Sequence, residues 1–298
     1  MIENAPSYAP IPREEVLQAR QADLAAYLIT RGEPLRLSGS RYKHAEHDSL
    51  VFTGNAYYWN AHKEHGNAID FLQRFYNMSF REAVAELTSG DYSILPPIEP
   101  KAFDFNKIEL APDMERVILY LNKTRGLSVE LIADLIRRRR LFQEAKTNNA
   151  LFPIYDGGAI VGAEVVGTLP DKRFKGIKNG SKYGCGYNLS FGEKIAHALF
   201  FESAIDLLSF IDLARMRGKG LDGCRLTSLS GLKQNIFDHA MHSLGEQVQP
   251  FLCVDNDEAG AAFVCSVQAV NAGVKIRQPA AAFKDWNDWL MDFRARQR

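Results

Sequence analysis

The chain has 298 residues, 46% hydrophobic and 24% charged, a composition typical of a globular protein with two or three domains. Its formal net charge is zero, which excludes a global positive field that recruits nucleic acid and leaves only local basic patches. The four cysteines form no Cys-x-x-Cys pair, which argues against a disulfide framework and against a cysteine zinc site. With no signal peptide and no long apolar run, we expect a cytoplasmic protein without membrane contact.

The first ninety residues predict a small module of helices and one hairpin. The pair Gly54-Asn55 is a hairpin turn signal, and Ser79 with Glu82 has the spacing of a capping box at a helix start. A proline-rich stretch then predicts a linker over residues 96–106. The predicted elements are a helix at 14–29, strands at 49–53 and 56–59, and helices at 68–76 and 79–87.

Four histidines and one tryptophan stand at regular spacing in this module. His44 and His47 form one His-x-x-His pair, Trp59 and His62 occupy a second x-x-spaced pair, and His65 follows. With Gly-Asn-Ala-Ile-Asp-Phe and Ser-Phe-Arg-Glu-Ala-Val downstream, the segment resembles the amino-terminal zinc ribbon of bacterial primases. That family places Cys-x-x-His and Cys-x-x-Cys at the two pairs.

The resemblance implies a metal site that is broken in this chain, because Trp59 cannot bind zinc. Replacement by His65 would give two His-x-x-His pairs, but all-histidine structural zinc sites are rare. We therefore predict a degenerate DNA-binding ribbon over residues 1–95, with zinc unlikely. An aromatic core of Tyr57, Trp59 and Phe71 would hold it, with the histidines at the surface or on DNA.

The middle of the chain carries two basic segments. Residues 114–140 have a helical pattern that ends in Arg137, Arg138, Arg139 and Arg140, which favours either a solvated helix end or a phosphate-binding patch. Residues 150–167 predict a hairpin that turns at Asp156-Gly157-Gly158. A cation-rich loop follows, as in the primase subdomain that it resembles, and this resemblance implies nucleotide and template binding. The alternative is a mobile, solvated loop. The predicted contact residues are Arg173, Lys175, Lys178 and Lys182.

Two short apolar runs in the last third end abruptly in carboxylates. Residues 197–201 predict a buried strand before Glu202, and residues 251–254 predict another before Asp255 and Asp257. In an open parallel sheet, functional groups collect where the strands end and the helices begin. Asp206 lies one helical turn beyond Glu202. These four acids have no obvious basic partner, so the pattern predicts a Mg²⁺ site.

Three motifs in this region resemble the signatures of the Toprim domain shared by bacterial primases and topoisomerases, with the primase branch the most similar. They are Glu202 with Asp206, Asp255-Asn-Asp257-Glu-Ala-Gly260, and Lys284-Asp-Trp-Asn-Asp288; the turn 227–233 also resembles a Toprim turn. The resemblance implies Mg²⁺ or Mn²⁺ as cofactor and Glu202, Asp255 and Asp257 as catalytic residues. The implied metal residues are Glu202, Asp206, Asp255, Asp257, Asp285 and Asp288.

The fold that we predict is α/β. A Toprim domain with a Rossmann-like parallel sheet covers residues 196–298, an α+β primase-like subdomain covers 107–195, and the ribbon and linker precede them. The chain ends soon after Trp289, without the helical subdomain and the helicase-binding module of replicative primases. It therefore resembles the primase-like Toprim proteins of plasmids, conjugative elements and phages.

The function implied by the resemblance is DNA primer synthesis, that is, metal-dependent nucleotidyl transfer on single-stranded DNA. Its ligands would be single-stranded DNA and nucleoside triphosphates, and a helicase or relaxase of the same element would be its protein partner. The alternatives are a Toprim-type DNA nuclease and a non-catalytic DNA-binding protein that assists replication. The clustered acids argue against the last one, because carboxylates repel phosphate unless cations neutralise them.

Overall fold

The computed structural model divides the chain into an N-terminal unit, residues 1–101, and a C-terminal unit, residues 102–298. The predicted boundaries at residues 95, 106 and 195 stay predictions. The structure describes residues 10–38, 41–90, 92, 102–169 and 174–297.

The N-terminal unit is a five-stranded antiparallel meander with helices, and its strands follow chain order from β1 to β5. The predicted hairpin at Gly54-Asn55 is confirmed, and so is the capping box of Ser79 and Glu82. Its elements are α1 (Arg13–Gln21), α2 (Leu24–Thr30), β1 (Leu35–Ser38), β2 (Arg41–His44), β3 (Leu50–Thr53), β4 (Ala56–Trp59), β5 (Glu64–Asn67), α3 (Ala68–Phe75) and α4 (Phe80–Thr88).

The predicted single helix over residues 14–29 is wrong, because the chain forms two helices there. Ala22 and Asp23 are extended, and the Asp23 carboxylate accepts a hydrogen bond from the Ala26 N–H at 2.9 Å. Aspartate is a favoured N-cap because it satisfies a free N–H group of the first helical turn. Apolar periodicity runs through such a cap unchanged, so periodicity alone could not locate the break.

Aromatic side chains hold β4 against α3. The Tyr57 and Phe71 rings lie 5.2 Å apart between centroids, and the Trp59 and Phe75 rings lie 5.3 Å apart. Edge-to-face and tilted arrangements of this kind stabilise a core beyond the area that they bury. The predicted aromatic core of this unit is therefore confirmed.

The C-terminal unit contains two sheets and six α-helices within its described residues. Its longest helices, α7 and α9, have 13 residues each, and no helix in the described part of the chain is long and apolar enough to cross a membrane. The elements are α5 (Glu115–Leu119), α6 (Val129–Arg137), β6 (Phe142–Gln143), β7 (Ala150–Asp156), β8 (Ala159–Val166), β9 (Lys175–Ile177), β10 (Asn188–Phe191), β11 (His197–Phe201), α7 (Ala204–Met216), β12 (Cys224–Ser228), α8 (Gln234–Leu244), β13 (Gln249–Leu252), α9 (Glu258–Val270), β14 (Lys275–Ile276) and α10 (Trp286–Ala295).

The first sheet is antiparallel in the order β6-β7-β8-β9, and the second, here called the mixed sheet, has the order β10-β12-β11-β13-β14. In the mixed sheet β11 runs parallel to both β12 and β13, β13 runs parallel to β14, and β10 pairs antiparallel at one edge. The predicted α/β class and the hairpin at Asp156-Gly157-Gly158 are confirmed. Because β11, β12 and β13 are parallel, their carboxyl ends meet at one edge of the mixed sheet.

The helical pattern over residues 114–140 corresponds to several helical segments and not to one helix. A wide π turn, Tyr120–Thr124, follows α5, and the chain then breaks at Gly126, whose φ is +68°. Ser128 caps α6 by accepting from the Leu131 N–H. The buried Asp212 carboxylate of α7 accepts from the Ser128 N–H and hydroxyl, each at 2.6 Å, so the new helix start is fastened to the neighbouring layer.

Candidate functional site

The structure brings together five of the six predicted metal residues at the carboxyl edge of the mixed sheet. Glu202 directly follows β11, and Asp255 lies three residues beyond the end of β13. Burial, together with the surrounding carboxylates, raises the pKa of Asp255 to about 8. A carboxyl responds in this way when neighbouring negative charges disfavour its ionised form. These residues, here called the acidic edge, are Glu202, Asp206, Asp255, Asp257 and Asp285.

Asp255 occupies the centre of the acidic edge. Its residue surface is only 7% exposed, and its Oδ1 atom is buried without a hydrogen-bond partner in the described structure. The charge of Glu202 contributes to the raised pKa of Asp255, and burial raises the pKa of Glu202 as well. An unsatisfied buried carboxylate oxygen is costly in an apolar interior. A divalent cation would satisfy that oxygen and neutralise the charge around it.

Asp206 supports the acidic edge from the first turn of α7. It is 5% exposed, and burial raises its pKa to about 7. The Ser203 hydroxyl donates to its Oδ2, while the Asp206 N–H donates to the Ser203 hydroxyl, so the serine both caps the helix and orients the acid. The predicted convergence of Asp206 and Glu202 is present, since the charges of Glu202 and Asp285 also raise the Asp206 pKa.

The expectation that these acids have no basic partner is wrong. Lys284 Nζ lies 3.3 Å from Asp257 Oδ2, and the N–H of Gly260 donates to Asp257 Oδ1 at 2.9 Å. The Gly260 hydrogen bond and then Lys284 lower the pKa of Asp257, in contrast to its neighbours. Lys284 has 61% of its side chain exposed, so this ion pair is weak and a cation or phosphate can displace it.

Asn256 holds the third motif against the second, which the sequence did not reveal. Its side-chain amide donates to the carbonyl oxygens of Pro279, at 3.1 Å, and Phe283, at 2.8 Å. Its N–H donates to the Lys284 carbonyl at 2.7 Å. The residue between the two aspartates of Asp-Asn-Asp thus positions the loop that carries Lys284 and Asp285. The only sign of this role in the sequence was the amide side chain between the two aspartates.

Asp288, the sixth predicted metal residue, lies outside this group. It is exposed, and its N–H donates to the Asp285 carboxylate at 2.7 Å as part of the α10 cap. Burial and then the charge of Asp285 raise the pKa of Asp288. Asp255 and Glu202 do not contribute to this rise. The structure therefore links Asp288 to the acidic edge through Asp285 and through the charge of Lys284.

The turn over residues 227–233 reaches the same edge. The Gly231 N–H donates to the Glu202 carbonyl at 2.8 Å, and both Ser230 and Gly231 have positive φ angles. Lys233 Nζ donates to the Ser230 carbonyl at 2.9 Å. The glycine is needed for its backbone angle rather than for space, because a Cβ there would contact nothing within 4 Å.

A buried glutamate that the sequence analysis missed joins the antiparallel sheet to the mixed sheet. Glu164 of β8 is 4% exposed, and its carboxylate accepts from the Ala204 N–H and the Ser230 hydroxyl, each at 2.9 Å. These two partners lie beside the acidic edge, so Glu164 sets the position of β8 and β9 against it. The sign of this role in the sequence was a single acidic residue within the apolar residues of a predicted strand.

The predicted basic residues differ in their surroundings. Lys175 of β9 is exposed and forms no ion pair with a carboxylate in the described structure, while its charge opposes the rise of the Glu202 and Asp206 pKa values. Lys178 pairs with Glu144, and Lys182 pairs with Asp156 at 2.6 Å. Of these three lysines, only Lys175 is thus shown to affect the pKa values of Glu202 and Asp206. Arg173 lies outside the described residues.

The four arginines at the C-terminal end of α6 also divide into two kinds. Arg137 and Arg138 both pair with Asp134 at the end of the helix. Arg139 and Arg140 instead lie against aromatic rings, and the Arg140 guanidinium carbon is 3.9 Å from the Tyr155 ring centroid. One Arg140 guanidinium nitrogen is buried without a partner in the described structure.

In the N-terminal unit, only two of the four histidines come together as possible ligands. His44 and His47 stack at 5.1 Å, and their nitrogens lie within 4.8 Å of each other and of a Glu46 oxygen. His62 packs on the Trp59 ring at 4.1 Å instead. His65 pairs across the hairpin with exposed Tyr58, so it does not take the place that Trp59 leaves vacant.

Replacement of Gly260 by alanine is expected to lower the free energy of unfolding by roughly 2 kcal/mol and to weaken Mg²⁺ binding. A Cβ at this position would lie 2.2 Å from the Asp255 carbonyl oxygen, so α9 or the Asp255 backbone must move. Urea unfolding measures the first effect. Gly220→Ala is the matched control because its Cβ would meet nothing within 4 Å. Equal stability of the two variants would contradict the close packing of α9.

The residues of the acidic edge fit a hard divalent cation. All five donors are carboxylates, the ligand type that Mg²⁺ and Mn²⁺ prefer. Such an ion would bind the unpartnered Oδ1 of Asp255. It would also stabilise the ionised forms of Asp255 and Asp206, which their raised pKa values show to be unfavourable without it. Fold and site together define an α/β protein with a carboxylate-lined edge of the Toprim kind.

Comparisons with known proteins agree with this class. Residues 199–290 match the family described as Toprim-like, and residues 119–196 match a family described as a protein of unknown function (DUF3991). An uncharacterized protein of Bacillus anthracis, pXO2-78, is 32% identical over 272 residues, which cover 84% of this chain and 78% of that protein. The chain belongs to the same family as this relative, and its residues 199–290 form a Toprim-like domain.

Two solved structures show similarity at 16% identity. The primase fragment of the bacteriophage T7 primase-helicase protein matches with a TM-score of 0.47, over 84% of this chain and 92% of that chain. The Aquifex aeolicus primase, with its zinc-binding and RNA polymerase domains, matches with a TM-score of 0.38, over 95% of this chain and 83% of that chain.

Proposed function

We propose that this chain is a primase-like nucleotidyltransferase that synthesises primers on single-stranded DNA from nucleoside triphosphates. The observation that carries the proposal is the unpartnered Oδ1 of Asp255, buried among four other carboxylates. A binding module gains nothing from such a cluster, since it repels phosphate and destabilises the fold. A metal-dependent phosphoryl-transfer site requires it.

Asp255, Asp257 and Glu202 would hold Mg²⁺ or Mn²⁺, and Asp206 and Asp285 would complete the negative surroundings, with Asp288 further out. A bound divalent ion supplies charge neutralisation at the transferred phosphate. Neutral Asp255 or Asp206 would lose its proton when the ion binds, because ligand carboxylates bind metals in their ionised form.

The side chains around the acidic edge supply the remaining functions. Lys284 and Lys175 are exposed cations whose charges act on Glu202, and they would bind the triphosphate oxygens. Burial raises the pKa of Glu202, so its carboxylate is a stronger base than an exposed one. As the alternative to a place in the metal shell, Glu202 would accept the proton of the attacking 3′-hydroxyl, with its backbone held in place by Gly231.

Single-stranded DNA would contact exposed aromatic and basic side chains near β9. Tyr183 is 84% exposed and Phe174 is 50% exposed, and bases stack on such rings without sequence preference. Phosphates would bind Lys178 and Lys182, whose carboxylate partners they would replace. We extend this DNA-binding role to Arg173, to the arginines Arg137, Arg138, Arg139 and Arg140, and to the N-terminal unit.

The biological setting that we propose is DNA replication of a plasmid or another mobile element, in the cytoplasm. The name of the Bacillus anthracis relative carries the plasmid designation pXO2. A helicase or relaxase of the same element would then be the protein partner. Co-purification with such a protein from cells that carry the element would test this setting.

An extension assay tests the activity. The whole protein is incubated with single-stranded DNA of mixed sequence, labelled ribonucleotides or deoxynucleotides, and Mg²⁺ or Mn²⁺. We expect short labelled oligonucleotides that require both the template and the metal. Shortened template without labelled product would favour the nuclease, and gel retardation without either reaction would favour the non-catalytic binder.

A further inference from the structure

A second group of metal-ligating side chains lies in the C-terminal unit and shares no residue with the acidic edge. It consists of Asp156 at the end of β7, Cys185 in the loop before β10, and His239 on α8. Their ligand atoms all lie within 4.8 Å of one another. Cys185 Sγ is 3.5 Å from His239 Nε2, and Cys185 is buried.

The glycines on both sides of Cys185 show why the chain can bring it so close to α8. A Cβ at Gly186 would lie 2.1 Å from the Ser228 carbonyl oxygen, so only glycine permits this contact with the end of β12. Gly184 has a φ of +77°, and a Cβ there would lie 3.0 Å from the Cβ of His239. The two glycines therefore allow the backbone to place the Cys185 thiol beside the His239 imidazole.

The three side chains differ in chemistry from the acidic edge. A thiolate, an imidazole and a carboxylate are the three ligand types of zinc, whereas Mg²⁺ prefers oxygen ligands alone. Lys182 Nζ donates to Asp156 Oδ2 at 2.6 Å, but a carboxylate has a second oxygen with which it can bind an ion. Because thiolate and carboxylate together carry two negative charges, they would neutralise Zn²⁺.

We propose that Asp156, Cys185 and His239 form a zinc-binding site with an open fourth position. Binding replaces the proton of the Cys185 thiol with the metal and releases that proton to solvent. Asp156 belongs to the antiparallel sheet, while His239 lies on a helix that packs on the mixed sheet. A bound ion would therefore connect the two sheets and stabilise the C-terminal unit by an amount that rises with the logarithm of the free ion concentration.

Cobalt titration of the whole, chelator-treated protein tests the site. Co²⁺ bound to a cysteine gives a thiolate-to-metal charge-transfer absorption, which the His44–Glu46–His47 group, with no thiol, does not produce. We expect this absorption to saturate at one equivalent and to disappear when Zn²⁺ is added. Its absence from the wild-type protein would overturn the proposal, whatever the variants do.

Cys185→Ser and His239→Asn are expected to abolish the absorption and to weaken Zn²⁺ binding by more than about 100-fold, beyond the loss expected for a residue that only supports a ligand. Asp156→Asn keeps the side-chain shape and should weaken Zn²⁺ binding less than the other two substitutions do. It also tests the site if Cys185→Ser or His239→Asn fails to fold. Cys265→Ser is the matched control, because Cys265 is exposed on α9. Absorption that persists in Cys185→Ser and disappears in Cys265→Ser would refute the assignment.

Discussion

Replacement of Asp255 by asparagine is expected to reduce metal-dependent primer synthesis by about 1000-fold, the upper range for loss of one electrostatic group in a preorganised active site. The amide keeps the shape of the side chain but cannot carry the negative charge. Because Asp255 is buried at the centre of the acidic edge, no solvent-exposed group can replace it. The measurement is the rate of labelled nucleotide incorporation at saturating Mg²⁺.

Asp238→Asn provides the matched control for this experiment. It removes the same charge from an exposed position on α8, and its rate should equal that of the wild type. Glu202→Gln should also lose activity, and if Glu202 accepts the proton the loss should be greatest at high pH, where the wild-type carboxylate is ionised. An Asp255→Asn variant that retains more than about a tenth of the activity would rule out the acidic edge as the reaction site.

The second large effect concerns stability. Without metal, the free energy of unfolding is expected to fall by roughly 2 kcal/mol or more as pH rises from about 4 to about 8, since one pKa unit corresponds to about 1.4 kcal/mol. The folded-state pKa values of Asp255, about 8, and Asp206, about 7, lie above the unfolded value of about 3.9. Their protonated forms therefore favour the folded state, and this contribution is lost as pH rises through the folded pKa values.

Urea unfolding at several pH values, with and without Mg²⁺, measures this effect. Mg²⁺ should restore stability at pH 8, because it binds the folded state and replaces the protons. Asp255→Asn should be more stable than the wild type at pH 8 without metal and should gain little from Mg²⁺. Asp238→Asn should follow the wild type throughout. Metal-free stability that rises between pH 5 and pH 8 would disprove the electrostatic account of the acidic edge.

Local signals predicted much of the acidic edge from the sequence. An apolar run that ends in an acid marks the end of a buried strand, and this placed Glu202 and Asp255 correctly at neighbouring strands. The same kind of signal located the turns at Gly54-Asn55 and at Asp156-Gly157-Gly158. Each of these features depends on residues that are close together in the chain.

The sequence analysis did not predict which carboxylates the lysines contact, and the reason is physical. Lys178 pairs with Glu144 and Lys182 with Asp156, and these contacts join residues far apart in sequence. The ion pair of Lys284 with Asp257 likewise depends on how Asn256 fastens the following loop. Composition and spacing show that cations are present, but they do not show which carboxylate each one meets.

The sequence by itself determined the α/β class, the two apolar strands that precede Glu202 and Asp255, and the acids at the ends of those strands. Only the tertiary structure decided that Asp255 has an unpartnered oxygen, that Glu164 joins the two sheets, and that Cys185 meets His239 and Asp156. The absence of a Cys-x-x-Cys pair had argued against a cysteine metal site. Strand ends follow from local backbone preferences, whereas ligand sets drawn from three distant segments exist only after the sheets have packed together.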